Sequence, residues 1–102
     1  MNDKSAISIA EQAVALAPNS PIVLDTLGVL YLESGDAAKA TELLKKAVSL
    51  GPKLPQLHVS LARALAKSGD KDGARKELDE AQKGATDNSP LRAEIDKLRA
   101  TL

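Results

Sequence analysis

The sequence is poor in residues that carry chemistry. Its 102 residues contain no cysteine, phenylalanine or tryptophan, one tyrosine and one histidine. Without cysteine the chain can form no disulfide framework, thiolate nucleophile or Cys-ligated zinc site. One histidine cannot form a histidine-rich metal centre, and one aromatic ring cannot supply a platform for stacking bases. We therefore expect no metal and no cofactor.

The charges are balanced. Fourteen Lys and Arg residues match fourteen Asp and Glu residues, and the sequence pI is about 6.6. A neutral chain has no general attraction to phosphate backbones, so nucleic acid is not an expected partner. No apolar run approaches the roughly 20 residues of a membrane span, and residues 1–5 lack the pattern of a secretory signal. The default expectation for location is cytoplasmic.

Helix-forming residues dominate what is present. Ala (17) and Leu (16) make up about a third of the chain, while β-branched and aromatic residues are scarce. Ala and Leu rank among the best helix formers. About 100 residues is the size of one small domain. The composition thus predicts a single all-α domain with a core of small side chains.

An internal repeat of 34 residues runs through the sequence. Pro18 and Pro21 recur as Pro52 and Pro55, and the Ser-Gly-Asp segment at 34–36 recurs at 68–70. Residues 21–54 and 55–88 share eight identities, well above the chance value of roughly two or three that we assign to so Ala- and Leu-rich a composition. The sequence is therefore built from repeated units.

Each unit predicts two helices joined by a short turn. Apolar residues recur at three- and four-residue spacing, proline suits the first helical position, and Gly35 and Asp36 suit a helix end and the next cap. Residues 4–20 fit the second helix of a repeat whose first helix is absent. Residues 89–102 fit a capping helix with a polar outer face. The predicted helices span 4–17, 21–34, 37–50, 55–68, 71–84 and 90–101.

These features resemble the tetratricopeptide repeat (TPR) family. Its signature, W-x2-L-G-x2-Y, A-x3-F and P over 34 residues, is matched strongly by residues 21–54 and moderately by residues 55–88, where Thr86 takes the proline position. The matching residues of the first repeat are Leu24, Leu27, Gly28, Tyr31, Ala40, Leu44 and Pro52, and those of the second are His58, Leu61, Ala62, Leu65, Ala74 and Leu78.

The resemblance implies an all-α TPR α-solenoid of six helices in antiparallel pairs with right-handed superhelical stacking. It also implies that the paired helices approach each other at small residues, Gly28 and Ala40 in the first repeat and Ala62 and Ala74 in the second. The larger signature residues would fill the space around this crossing.

The resemblance further implies a concave face that binds a peptide or partner protein. Asp25 and Glu33 would form an acidic side and Arg63 and Lys67 a basic side, with exposed apolar groups between them. Alternatively, these charges only pair with one another or with water. The residues expected on this face are Asp25, Val29, Leu32, Glu33, Gln56, Val59, Ser60, Arg63 and Lys67.

Some TPR domains hold a peptide's terminal carboxylate between Lys and Asn side chains. The corresponding positions here carry Asp25, Val29, Val59 and Arg63. That clamp is missing, so an acidic chaperone tail is a poor candidate ligand.

Catalysis is not expected. His58 could be a general base or a pH-sensitive contact, but no Ser, Asp or Cys is spaced to complete a triad, and a partly buried ring is the simpler interpretation. The carboxylates of segment 70–80 alternate with Lys and Arg, as on a solvated helix face. The glycines are scattered singly, so no phosphate-binding loop is present.

Two functions remain open. The first is a non-catalytic scaffold that binds a protein through the concave face. The second is a structural module that self-associates, because Ile7, Ile9, Ala10 and Val14 of the first helix need cover from a neighbouring copy. A looser resemblance to bacterial TPR lipoproteins of exopolysaccharide and protein-sorting systems would make the chain part of an exported, membrane-anchored protein.

Overall fold

The computed structural model describes residues 4–85 and 89–102, and within them the chain forms six α-helices and no strand. Every predicted helix is present, and the predicted and observed bounds agree to within one residue. None of these helices combines the length and the apolar character needed to traverse a bilayer, in the part of the chain described. The helices are α1 (Lys4–Leu16), α2 (Pro21–Glu33), α3 (Ala37–Leu50), α4 (Pro55–Lys67), α5 (Lys71–Gly84) and α6 (Pro90–Ala100).

Side-chain caps fix where most of these helices begin. The Ser20 hydroxyl accepts a hydrogen bond from the Val23 amide at 3.3 Å, and Asp36 accepts one from the Lys39 amide at 3.1 Å. Asp70 and Ser89 make the equivalent bonds at the starts of α5 and α6. Each bond satisfies an amide that has no partner within its own helix.

The two Ser-Gly-Asp turns have nearly the same backbone geometry. Gly35 and Gly69 have φ angles of 94° and 89°, in the left-handed region that glycine adopts without steric cost. The Asp36 amide donates to the Tyr31 carbonyl at 2.9 Å, and the Asp70 amide donates to the Leu65 carbonyl at the same distance. This pattern ends one helix and reverses the chain into the next.

The helices pack as successive pairs. Helix α2 packs against α3, α4 packs against α5, and the contact between α3 and α4 joins the two pairs. Helix α1 lies against α2, and α6 lies against α5 and α4. The arrangement is an all-α solenoid in which each unit is stabilised mainly by its sequence neighbours.

The repeat-signature positions form most of the core. Leu24, Leu27, Gly28, Ala40 and Leu44 are buried in the first repeat. His58, Leu61, Ala62, Leu65, Ala74 and Leu78 are buried in the second. Tyr31 is half-buried, and its hydroxyl donates to Glu11 of α1 at 2.6 Å. Pro52 lies exposed in the turn after α3. The end of the second repeat, with Thr86, lies outside the described residues.

The close approach predicted at Gly28 is present. A Cβ atom at this position would lie 2.7 Å from Leu44 Cγ and 2.8 Å from Leu44 Cδ2. The side chain that packs directly against Gly28 is thus that of Leu44, and Ala40 is fully buried. The missing side chain at residue 28 lets α2 and α3 lie closer together than any larger residue would.

The expectation that all four apolar residues of α1 need cover from outside is wrong in part. Ala10 is buried, Val14 packs against the cluster of Leu24, Ala47 and Leu57, and Ile7 is half-buried. Helix α2 supplies this cover. Ile9 does remain 65% exposed, and Leu16 is 88% exposed beside it.

Candidate partner-binding site

The residues predicted for the concave face lie on α2 and α4, and α6 packs beside α4. Helix α4 touches both α2 and α6. Of the residues predicted for this face, Glu33, Gln56 and Lys67 are exposed, Asp25, Val29, Leu32 and Arg63 are half-buried, and Val59 and Ser60 are buried.

The expectation that Val59 is exposed and open to a ligand is wrong. Val59 is 0% exposed and Ser60 is 1% exposed. Val59 belongs to the apolar cluster that also contains Ile95 of α6, so it is part of the core and not of an open surface. Ser60 lies beside Asp25 of α2. Neither residue offers its side chain to a partner in this structure.

Four of the predicted residues meet at one pocket. Leu32, Glu33, Arg63 and Lys67 line a space of about 460 Å³ where α2, α4 and α6 converge. Pockets that hold ligands or anchor side chains in proteins have volumes of roughly 300–1,000 Å³. The lining is completed by Ala66, Lys71, Leu98, Thr101 and Leu102.

The charges at this pocket are arranged differently from the predicted acidic and basic sides. Arg63 forms an ion pair with Glu94 of α6, at 3.8 Å, with both side chains about 40% exposed. Glu33 and Lys67 line the same pocket, on α2 and α4. Lys67 and Lys71 have no ion-pair partner within residues 4–85 and 89–102. No ion pair joins any two of the four predicted charged residues in the described chain; Arg63 pairs with Glu94 of α6 instead, and its charge also acts on Asp25.

A polar contact lies deeper between α2 and α4. Burial raises the pKa of the Asp25 carboxyl, while the Ser60 hydroxyl and the Arg63 guanidinium oppose the shift. Asp25 Oδ1 and Ser60 Oγ are both buried without a hydrogen bond of acceptable geometry to any described residue. The Ser60 hydroxyl lies close enough to lower the pKa of Asp25, but the carboxyl is partly removed from water and its pKa is raised overall.

A second pocket of about 360 Å³ extends the first along α6. It shares Arg63, Leu98 and Thr101 with the first pocket and adds Glu94 and Lys97. The two pockets together form a continuous surface beside α6, which we call the α6 groove: Leu32, Glu33, Arg63, Ala66, Lys67, Lys71, Glu94, Lys97, Leu98, Thr101 and Leu102.

Sequence analysis missed the contribution of α6 and of Lys71 to this groove. The apolar stripe of residues 91–102 did signal a packed helix, but its destination depends on the tertiary fold. Lys71 follows the second Ser-Gly-Asp turn, and that turn brings it back beside the end of α4. Its position was thus derivable from the hairpin, once Lys67 had been placed on the concave face.

His58 is buried and fully bonded. Its Nδ1 lies 2.8 Å from Glu77 Oε1 on α5, and its Nε2 lies 2.7 Å from the Pro52 carbonyl oxygen in the turn before α4. Both ring nitrogens therefore lie within hydrogen-bond distance of an oxygen. The ring is 7% exposed. This confirms the interpretation of a packed ring and leaves no free nitrogen for general-base catalysis.

The α5 carboxylates are held by cations. Asp72 pairs with Arg75, and Glu80 pairs with Lys83, as predicted for a solvated helix face. Asp79 instead pairs with Arg99 of α6 at 2.8 Å. No group of three or more potential ligands that could hold a metal ion occurs among the residues for which side chains are described.

A family model described as tetratricopeptide repeat matches residues 31–101. The chain belongs to the tetratricopeptide repeat family. The match covers the end of the first full repeat, the second full repeat and α6, so the C-terminal helix lies within the TPR pattern.

Two relatives are about one third identical to this TPR chain over the segments that align. One is the tetratricopeptide repeat and J domain-containing co-chaperone DNJ1 of Fusarium oxysporum f. sp. lycopersici, 35% identical over 88 residues, which are 86% of this chain and 16% of the relative. The other is the BBSome complex member BBS4 of Bos taurus, 34% identical over 77 residues, 76% of this chain and 15% of the relative. The chain therefore spans only a small part of the relatives it matches.

A solved structure supports the TPR fold independently. The Sgt2 TPR domain of Aspergillus fumigatus aligns with a TM-score of 0.78 and 24% identity, over 93% of this chain and 64% of that one. At this identity the likeness shows the fold. TPR domains are typically non-catalytic modules for protein–protein interaction. None of these three proteins is named as a bacterial lipoprotein, and that resemblance stays a prediction.

Proposed function

We propose that this TPR array is a non-catalytic module that holds a peptide segment of a partner protein against its concave face, at the α6 groove. The observation that carries this proposal is the convergence of Leu32, Glu33, Arg63 and Lys67 on one pocket of about 460 Å³. These residues come from two repeats, and only a folded array brings them together.

The groove has the physical character of a site for a flexible ligand. Leu32, Ala66 and Leu98 offer an apolar surface, and charged side chains surround it. The Arg63–Glu94 pair is long and half-exposed, and such pairs contribute about 0–1 kcal/mol. Arg63 can therefore exchange Glu94 for a group on a ligand at little cost.

The relatives accord with a protein partner. One is named a co-chaperone and the other a complex member. The first name joins a tetratricopeptide repeat to a co-chaperone, and the second names a member of a protein complex. Neither name says which residues bind, so the groove alone supports the location of the site.

A peptide library tests the proposal. The folded chain is used to select from random peptides displayed on phage, and enriched peptides are measured against Arg63→Gln/Lys67→Glu. Glutamine is chosen at residue 63 because a glutamate there would face Glu94 and Asp25. Lys45→Glu/Lys46→Glu is the matched control, since both lysines are exposed on α3, outside the groove.

The expected result is enriched peptides that bind the wild type and the α3 control equally and lose at least ~tenfold in affinity on the groove variant. Circular dichroism must show the same helical content in all three proteins. If no enriched peptide distinguishes the groove variant from the control, the concave-face proposal is wrong.

A second candidate function is self-association through α1. Ile9 and Leu16 are 65% and 88% exposed on this helix, and a second copy of the chain would cover them. Sedimentation over a concentration series distinguishes the two candidates. A monomer at all concentrations rejects self-association.

A further inference from the structure

The α6 groove carries more positive than negative charge. Arg63, Lys67, Lys71 and Lys97 line its two pockets, against Glu33 and Glu94. The chain as a whole has a net charge of zero, so this surplus is local. Arg63 and Glu94 neutralise each other at 3.8 Å, which leaves three lysines facing one glutamate.

The free lysines lie at one end of the groove. Lys67 ends α4 and Lys71 begins α5, on either side of the turn at Gly69. Both are exposed, and neither has an ion-pair partner in the described chain. The turn therefore holds two ammonium groups beside the apolar lining of Leu32, Ala66 and Leu98.

We propose that the α6 groove selects an acidic peptide segment, in which carboxylate side chains flank one aliphatic side chain. The aliphatic group inserts against Leu32, Ala66 and Leu98, and the carboxylates pair with Lys67 and Lys71. This inference rests on the proposed function and names the ligand chemistry of the same site. The segment is internal to the partner, because no clamp for a terminal carboxylate is present.

Charge complementarity is what decides the occupant. A second copy of this chain is a weaker fit, because the outward residues of α6 mix both signs and those of α1 include Ile9 and Leu16 without an acidic cluster. A basic peptide would face three lysines that have no ion-pair partner among the residues described. Opposite charges across an interface raise both the specificity and the rate of association.

The test uses three synthetic peptides, each labelled with fluorescein and amidated at the C-terminus to remove the terminal charge. The first has two glutamates on each side of a leucine. The second replaces the glutamates by glutamines, and the third replaces the leucine by serine. Binding is measured by fluorescence anisotropy at low and high NaCl concentrations.

The acidic leucine peptide is expected to bind at least ~tenfold more tightly than either matched peptide, and to weaken as salt screens the lysines. Lys67→Glu/Lys71→Glu should weaken it by at least the same factor, while Lys45→Glu/Lys46→Glu leaves it unchanged. Glu33→Gln should strengthen it, because the variant removes the carboxylate that opposes the ligand.

Three outcomes overturn the inference, and they separate it from the proposed function. Equal binding of the glutamine peptide removes the role of charge. Equal weakening by the α3 control shows nonspecific attraction. If library peptides depend on the groove yet contain no acidic residues, and the acidic peptide does not compete with them, the function stands and the ligand class is wrong.

Discussion

The two full repeats differ in how deeply their first helix is buried, and the difference does not follow their match with the TPR signature. The first repeat keeps Gly28, Tyr31 and Pro52, whereas the second has Ala62, Leu65 and Thr86 at those positions. Yet α2 of the first repeat buries three residues, and α4 of the second buries eight. The better match has the less buried helix.

The number of neighbouring helices accounts for this difference. Helix α4 contacts α2, α3, α5 and α6, whereas α2 contacts α1, α3 and α4. Helix α2 itself covers part of α4, because Leu57 packs in the cluster of Leu24 and Ser60 lies beside Asp25. The equivalent residues of α2 are less covered: Val23 is half-buried and Thr26 is exposed. In a solenoid, then, burial of a position depends on what stacks beside it as much as on its own residue.

The largest effect is expected where α6 meets the second repeat. Ile95→Ala should lower the free energy of unfolding by about 2–5 kcal/mol, because it leaves a cavity at a fully buried site. Urea denaturation followed by circular dichroism measures the loss.

The matched variant for this measurement is Ile22→Ala on the open side of α2. Ile22 is 59% exposed, so its truncation should cost less than about 0.5 kcal/mol. If the two substitutions cost the same, α6 contributes nothing to the difference between the repeats.

A smaller effect is expected at the helix crossing. Gly28→Ala should destabilise the chain by about 1–3 kcal/mol, since the new Cβ meets Leu44. The steric cost is partly offset by about 1 kcal/mol, because alanine is a better helix former than glycine. The second repeat already accommodates Ala62 in the same position, so the prediction tests whether α2 and α3 lie closer than α4 and α5.

A double-mutant cycle isolates the steric part of this effect. In a Leu44→Ala background the obstructing side chain is absent, and Gly28→Ala should become neutral or stabilising. A Gly28→Ala penalty of the same size in both backgrounds would show that Leu44 is not its cause.

The smallest effect concerns Asp25, whose equivalent in the second repeat is Val59. Because burial raises the pKa of Asp25 in the folded state, the folded chain binds this proton more tightly than the unfolded chain does. The stabilisation that comes from this tighter proton binding is present at low pH, and it is lost as pH rises through the raised pKa of Asp25.

The Asp25→Asn variant should lack this loss, so its free energy of unfolding relative to wild type should increase as pH rises from about 3 to 7. The increase should be less than about 1 kcal/mol, because the carboxyl is half-exposed and solvent screens its charge. Urea unfolding of both proteins across this range gives the difference, in which other titrating groups cancel. A difference that stays flat or decreases would contradict the assignment of desolvation as the main cause.

The helices and their pairing were predictable from the sequence because local signals determine them. Proline at the first helical position, the Ser-Gly-Asp turns and the 34-residue period fixed each helix to within a residue. The signature positions identified most of the core for the same reason, since residues at three- and four-residue spacing share one face of a helix.

The candidate site was predictable only in part, because it depends on distances between helices. The sequence placed Leu32, Glu33, Arg63 and Lys67 on one face, but it did not indicate that α6 would border that face. The ion-pair partners that lie on a different helix were missed for the same reason. Arg63 pairs with Glu94, and Glu77 turns inward to His58.

The His58 contacts have a consequence for how the repeats are joined. One ring connects α4 to α5 through Glu77 and to the turn after α3 through Pro52. Apolar contacts tolerate small slides along a helix axis, but hydrogen bonds are directional and weaken steeply when misaligned. The ring thus restrains the axial position of α4 against α5 and against the turn that precedes α4, which a leucine, as at residue 24, cannot do.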